Sequence, residues 1–340
     1  MELGPCRLTE EGANVTYNEH SWNTHSHILF LDQPVNVGFS YSDDGSKVDR
    51  SEIAGEDVYA FFQLFFSRFP EYASAPFHIA SESYGGTYAP HAASIFHKKN
   101  KELAMSPVPR LRRINLASVI LANGLTDPLE QLATVREYAC HGPYRILDPD
   151  GKECNSMKRG SAVCERLVQT CYRFPTRAGC LSAAYYCYSQ LYTPMESGYR
   201  VTTLHSAPPS FTISLTETGL NLYDVRKKCN VPEYGPECFP EIGWLENWMN
   251  GEDVKRSLGV DPTLTFEACK ADVNKGFVLQ ADAMRNSALL LTDLVNEGVR
   301  LLVYAGNAGQ PHRTTLGNAV LIVVLSLVIG HRCYVQLYGK

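Results

Sequence analysis

Apolar positions along this chain recur with two different periods, and their alternation outlines a fold. Ile28-Leu29-Phe30-Leu31 is a short continuous apolar run ended by Asp32-Gln33-Pro34, as expected of a strand buried on both faces of a parallel sheet. From Gly55 the period changes: Val58, Phe61, Phe62, Phe65 and Phe69 share one helical face, and Pro70 stops the helix. A second apolar run, residues 77–80, enters the stretch HIASESYGGTYAP (residues 78–90), and residues 87–97 read as helical. ASVILANGLTDP (residues 117–128) repeats the theme, a strand breaking at Asn123-Gly124. Further on, Ala281, Met284, Ala288, Leu291 and Val295 predict one long amphipathic helix closed by Gly298, and VRLLVYAGN predicts another parallel strand. Residues 319–330, apolar but for Ser326, fall short of the roughly 18 positions that span a bilayer, so they read as a buried strand. Strand and helix in alternation predict an α/β architecture with a doubly wound, mostly parallel sheet.

Composition narrows this picture. A chain of 340 residues with 44% apolar and 20% charged positions is globular and fits one large domain carrying an insertion. No internal repeat or low-complexity linker interrupts it. The net charge of −5, with no interleaving of basic and aromatic residues, argues against a nucleic-acid partner. Seven of the eleven cysteines fall between positions 140 and 229. That crowding predicts disulfides in an oxidising compartment, because no C-x2-C pair offers a zinc site. The sequon Asn14-Val15-Thr16 fits a secretory route, although no leader pattern follows Met1. The chain therefore divides into a first core part (1–129), a cysteine-stapled insertion (130–240), a second core part (241–309) and a tail (310–340).

The chemistry centres on Ser83. A serine at the apex of a strand–turn–helix elbow is held in a strained backbone conformation that exposes its hydroxyl, and small residues two before and two after let strand and helix pass closely. Here those positions are Ser81 and Gly85, giving S-x-S-x-G. The same elbow puts the backbone N–H of Tyr84 at the helix start, where partial positive charge stabilises a developing oxyanion. An ordinary turn serine is the alternative, since so short a pattern recurs by chance.

ELGP, NEHSWN, LFLDQPVNVGFSYS, SESYGGTYAP, NGLTDP, NLYDVRKKC and LLVYAGNA, in this order and spacing, resemble the serine carboxypeptidases, in particular the fungal vacuolar carboxypeptidase Y group. The resemblance runs from Met1 to about Ala308. It implies an α/β-hydrolase fold with a disulfide-bonded insertion, and release of C-terminal residues from peptides through an acyl-enzyme on Ser83, with Tyr84 as an oxyanion donor. It also implies that Glu82 and Glu2 form the paired carboxylic acids that receive the substrate's terminal carboxylate. Two adjacent carboxyls cannot both ionise cheaply, so one keeps a proton to donate, and binding should weaken as pH rises. Read without the resemblance, Glu82 is an acid at a helix start and Glu2 a residue at the chain end. The implied disulfides are Cys140–Cys154, Cys164–Cys187, Cys171–Cys180 and Cys229–Cys238, which leaves Cys6, Cys269 and Cys333 outside the four pairs. The implied setting is a vacuole or the cell exterior, with peptide or protein C-termini as partners, no membrane span and no metal or organic cofactor.

The chain departs from the family pattern in two places. Gly309 stands where the orienting aspartate is expected, and the Gly-Gly-His segment that supplies the base does not follow it. Residues 310–340 are unlike the family; His331 is the remaining base candidate, His312 lies too near the strand end, and Asn307 carries no charge. The Gly-Gly-Pro-Gly-Cys loop expected before ELGP, source of the second oxyanion N–H, is not in the sequence. The reading is therefore a serine carboxypeptidase with an impaired triad, against two alternatives: a non-catalytic binder of peptide C-termini, and an esterase on the same fold.

Overall fold

The computed structural model describes residues 3–196, 220–221, 223–230, 239–309 and 321–325. A hairpin of β1 (Cys6–Thr9) and β2 (Asn14–Tyr17) precedes the main sheet. That sheet has five strands in the order β3 (His27–Leu31), β7 (Leu321–Leu325), β4 (Phe77–Glu82), β5 (Leu116–Ala122) and β6 (Arg300–Tyr304). β4, β5 and β6 are mutually parallel, and β7 runs antiparallel to both β3 and β4. Four strands thus point the same way and deliver their C-terminal ends to one edge, where ligand sites of doubly wound sheets lie.

Helices α1 (Ser51–Arg68) and α2 (Gly85–Met105) cover one face. Phe62, Phe66, Phe77 and Phe96 are fully buried between them and the sheet, the Phe62 and Phe77 rings meeting edge-on at 4.8 Å. Of the face read from Val58 to Phe69, Val58 and Phe62 are buried and Phe61 and Phe65 pack half-buried against the same core; Phe66, outside that reading, is buried with them, and the helix ends at Arg68, just before Pro70. β3 differs from expectation: Phe30 is 49% exposed, because β3 is the outer strand of the sheet and not a central one. At the opposite edge every residue of β6 is exposed.

The largest departure concerns the long helix expected over 281–295. Ala281 lies in the left-handed region (φ 49°), Asp282–Met284 forms a single 3-10 turn, Arg285 is extended, and the α-helix begins only at Leu289. Tertiary contacts override the helical period here. Ala281 and Met284 enter one core while Asp282 is drawn into another site, and the N–H groups of Ser287 and Ala288 donate to the carbonyl of Thr126 at 3.0 and 3.2 Å. Gly298 ends the short helix with φ 91°, as its position predicts.

Between β5 and the later helices, α3 (Pro128–His141), α4 (Lys152–Arg173), α5 (Arg177–Cys187) and the short α6 (Thr193–Glu196) form a unit with its own core. Three disulfides run through that core: Cys140–Cys154, Cys164–Cys187 and Cys171–Cys180, the pairing the resemblance implies. Cys229 is also disulfide-bonded; its expected partner Cys238 lies outside the described residues. The helices α7 (Pro240–Met249), α8 (Glu252–Leu258), α9 (Ala271–Leu279) and α10 (Leu289–Asn296) complete the described chain. The Cys164–Cys187 bridge joins residues 23 positions apart, so its loss frees about 3 kcal/mol of denatured-state entropy in the chain-closure picture. We expect the Cys164→Ala/Cys187→Ala variant to unfold at correspondingly lower urea, and an unchanged midpoint would show that the helices hold the unit without the bridge.

Candidate active site

Ser83 sits between the end of β4 and the start of α2 with φ 56°, a left-handed backbone that an L-residue adopts only under constraint. The constraint is visible bond by bond. The Ser83 N–H donates to the carbonyl of Ala122 on β5 at 3.1 Å, and the Ser83 carbonyl accepts from the N–H groups of Gly86 at 3.0 Å and Leu125 at 2.9 Å. Ser81 donates its hydroxyl to the Gly85 carbonyl at 2.9 Å, and Thr87 donates its own to the Leu125 carbonyl at 2.9 Å. The segment after β5, where Asn123 also has a positive φ of 45°, is thereby laced to the elbow. The hydroxyl of Ser83 is buried and has no hydrogen-bond partner among the described residues.

Close approach at the elbow falls on Gly86. A Cβ built there would stand 2.5 Å from the amide nitrogen of Leu125 and 2.6 Å from the carbonyl carbon of Gly124, both backbone atoms that cannot swing aside. The sequence pattern pointed to Ser81 and Gly85 and missed this residue, whose need arises from a loop almost forty positions away.

Tyr84 is the N-cap of α2, so its N–H belongs to the first-turn amides that lack an intrahelical acceptor. Its side chain is buried, and its hydroxyl donates to Oδ2 of Asp282 at 2.6 Å. The same carboxylate accepts the Ser51 hydroxyl at 2.6 Å and, through Oδ1, the Ser51 N–H at 3.0 Å. Asp282 is 2% exposed. It therefore caps α1 from 231 positions away while holding the residue beside Ser83. Burial, and then the charge of Asp282, raise the Tyr84 hydroxyl well above its ordinary pKa; the same two causes raise Tyr88. His91 is lowered by burial, against the pull of Asp282 and Glu52 and with the help of Arg285. Sequence reasoning missed Asp282, Ser51 and Tyr88, and no local motif marks them.

Glu82, the last residue of β4, is exposed beside Ser83. Glu2, His312 and His331 lie outside the described residues. Gly309 is described and follows β6 by five positions. Among the described residues no group of three His, Cys, Asp or Glu side chains is placed to hold a metal ion, and no helix is long and apolar enough to cross a membrane.

A serine at positive φ, poised between a parallel strand and the helix it feeds on a doubly wound sheet, defines an α/β-hydrolase. The sequence comparisons narrow the class: the profile of the serine carboxypeptidase family matches residues 1–321. Carboxypeptidase Y of Schizosaccharomyces pombe is 37% identical over 313 residues, 91% of this chain and 28% of that protein. Carboxypeptidase Y homolog A of Arthroderma gypseum is 38% identical over 310 residues, 91% of this chain and 50% of that protein. Among solved structures, Kex1(delta)p, a prohormone-processing carboxypeptidase from Saccharomyces cerevisiae, superposes with a TM-score of 0.73 at 21% identity, over 92% of this chain and 62% of that one, and shares the fold. The chain belongs to the serine carboxypeptidase family, a family of peptidases within the hydrolases. It spans half or less of the length of these two curated relatives.

Proposed function

We propose that this chain carries the serine carboxypeptidase site, with Ser83 as the nucleophile that forms an acyl-enzyme on the carbonyl of the last peptide bond. The observation that carries this reading is the clamped positive φ of Ser83 at the strand–helix elbow. Attack by Oγ on that carbonyl makes a C–O bond and places negative charge on the carbonyl oxygen; the Tyr84 N–H, at the positive end of α2, donates to it. Collapse breaks the C–N bond, the proton given up by the serine hydroxyl going to the departing amine of the C-terminal amino acid; water then adds to the acyl ester, and Oγ regains a proton as the shortened peptide leaves. Glu82, with Glu2, receives the terminal carboxylate by keeping one shared proton, so affinity for a peptide acid falls as pH rises. The disulfide-cored helices α3–α6 form part of the insertion over the site, and the disulfides together with the exposed Asn14-Val15-Thr16 sequon support a vacuolar or secreted setting.

The Ser83 hydroxyl, without a partner among the described residues, and a glycine at 309 where the resemblance puts the orienting acid, favour a second reading: binding of peptide C-termini with little turnover. Groups of a triad act as a unit, and loss of the base lowers kcat by roughly 10⁶-fold. Incubation with an N-blocked dipeptide should release almost no amino acid, while a peptide acid should bind and its amide should not. Release at ordinary enzymatic rates, abolished in Ser83→Ala, would establish the hydrolytic reading and remove the second; equal affinity for acid and amide would remove both.

A further inference from the structure

Helix α2 ends at Met105, and the stretch AMSPVPRLRR, residues 104–113, is exposed at every position before Ile114 returns to the core. Its backbone is nevertheless fixed. The Val108 carbonyl accepts the Leu111 N–H at 3.2 Å across Pro109 and Arg110, and Arg110 has φ 72°, the left-handed corner of a type II turn. Past the turn, two side-chain amides bracket the chain as a neighbouring strand would. The Gln63 amide donates to the Arg112 carbonyl at 2.9 Å and accepts the Arg112 N–H at 2.8 Å; the Asn100 amide does the same to Ile114 at 2.7 and 2.8 Å. Those backbone groups are occupied inward, so the loop offers its side chains outward from a set shape.

Two kinds of side chain are on offer. Met105, Val108 and Leu111 are large apolar groups left in water, Met105 at 80% exposure, and the turn brings Val108 and Leu111 together. Arg110, Arg112 and Arg113 are interleaved with them, and none of the three is in a salt bridge among the described residues. No acid occurs between Glu102 and Asp127. Glu102 and Glu297, which reach the last two turns of α2, are already matched, the first by Lys99 and the second by Lys101 and His97. A chain of net charge −5 thus carries a positive, apolar loop. A soluble acidic segment would satisfy the arginines and leave Met105, Val108 and Leu111 in water. A bilayer surface takes both kinds at once, apolar groups entering the boundary between headgroups and acyl chains while guanidinium groups stay at the phosphates. The loop also lies at the end of α2 remote from Ser83, 21 residues or about 30 Å along the helix axis, so a molecule docked by it keeps the elbow toward solution.

We propose that the loop of residues 104–113 docks this protein on an anionic lipid surface, with Met105, Val108 and Leu111 inserted and the three arginines on the headgroup phosphates. The test is co-sedimentation of the full chain with phosphatidylcholine vesicles containing about 30% phosphatidylserine, at low salt. Half of the protein should be bound at about 1 mM lipid, weaker binding than a single myristoyl chain confers. Each arginine is worth about fivefold at such a surface, so pure phosphatidylcholine vesicles, or the Arg110→Gln/Arg112→Gln/Arg113→Gln variant, should lower binding by about 100-fold. About 0.5 M sodium chloride should abolish it as well. Val108→Ser/Leu111→Ser should weaken it by about tenfold with the charge unchanged. Both variants replace exposed side chains, so their melting temperatures should equal that of the parent. No binding to the phosphatidylserine vesicles up to about 10 mM lipid, equal binding to pure phosphatidylcholine, or full binding by the arginine variant would overturn the proposal. Binding that Val108→Ser/Leu111→Ser leaves intact and that a hexaglutamate peptide displaces would assign the arginines to an acidic protein segment instead. Sedimentation without vesicles, lost in the arginine variant, would assign the loop to a second copy of this chain. Ser83→Ala should bind vesicles as the parent does, so failure here leaves the reading of Glu82 and Ser83 untouched, and failure of that reading leaves this one standing.

Discussion

Replacing Asp282 by alanine is expected to lower stability by about 3 kcal/mol, among the larger losses a single side chain of this protein can cause. The carboxylate accepts three hydrogen bonds from groups that are themselves buried: the Ser51 N–H, the Ser51 hydroxyl and the Tyr84 hydroxyl. With the acceptor gone, each donor keeps its desolvation penalty of about 1–3 kcal/mol, offset in part by relief of a buried charge. Asp282→Asn should cost less, because its oxygen still accepts while its NH₂ group must face a donor. Tyr84→Phe should cost least, about 1 kcal/mol, because Ser51 continues to satisfy the carboxylate. Urea denaturation of the three variants tests the ranking, provided the slope is unchanged. A midpoint for Asp282→Ala equal to that of the parent would mean that the three donors find other partners and that the carboxylate does not join α1 to the elbow.

Gly86→Ala is the second large effect, of opposite physical origin. The new methyl would lie 2.5–2.7 Å from three backbone atoms of Gly124 and Leu125, well inside contact distance. Overpacking of this kind costs about 1–3 kcal/mol or more, and here relief requires the elbow or the loop to move. Either movement breaks the bonds that Ser83 accepts from Gly86 and Leu125, so the strained φ should relax together with the stability. We therefore expect both a lowered melting temperature and weaker binding of a peptide acid, relative to the parent, because Glu82 and the Tyr84 N–H move with the elbow. Gly243 is the control. It lies in the interior of α7, and a Cβ there meets nothing within 4 Å, so Gly243→Ala should stabilise by about 0.5–1 kcal/mol through helix propensity. Normal peptide-acid binding and stability in Gly86→Ala would show that the α2–loop contact yields at little cost.

Much of the frame follows from periods that act over a few residues. α1, β4, β5 and β6 lie where their apolar spacing puts them, and the elbow is legible because strand, turn and helix are contiguous over thirteen positions. The expectation failed where a segment serves several partners at once. Residues 281–295 carry a helical period, yet Ala281 and Met284 pack against the disulfide core and Asp282 turns to Ser51 and Tyr84. One straight helix cannot present those side chains in both directions, so the chain breaks at a left-handed residue and starts its helix at Leu289.

The α/β-hydrolase frame, the strand–turn–helix setting of Ser83 and the family are legible in the chain, because each is written in contiguous spacing or in motifs recurring in order. Tertiary structure alone decided that Asp282 reaches Ser51 across 231 positions and Tyr84 across 198, and that Gly86 faces Gly124. Hydrogen-bond partnership and close contact depend on where distant backbone segments meet in space, and no local period encodes that.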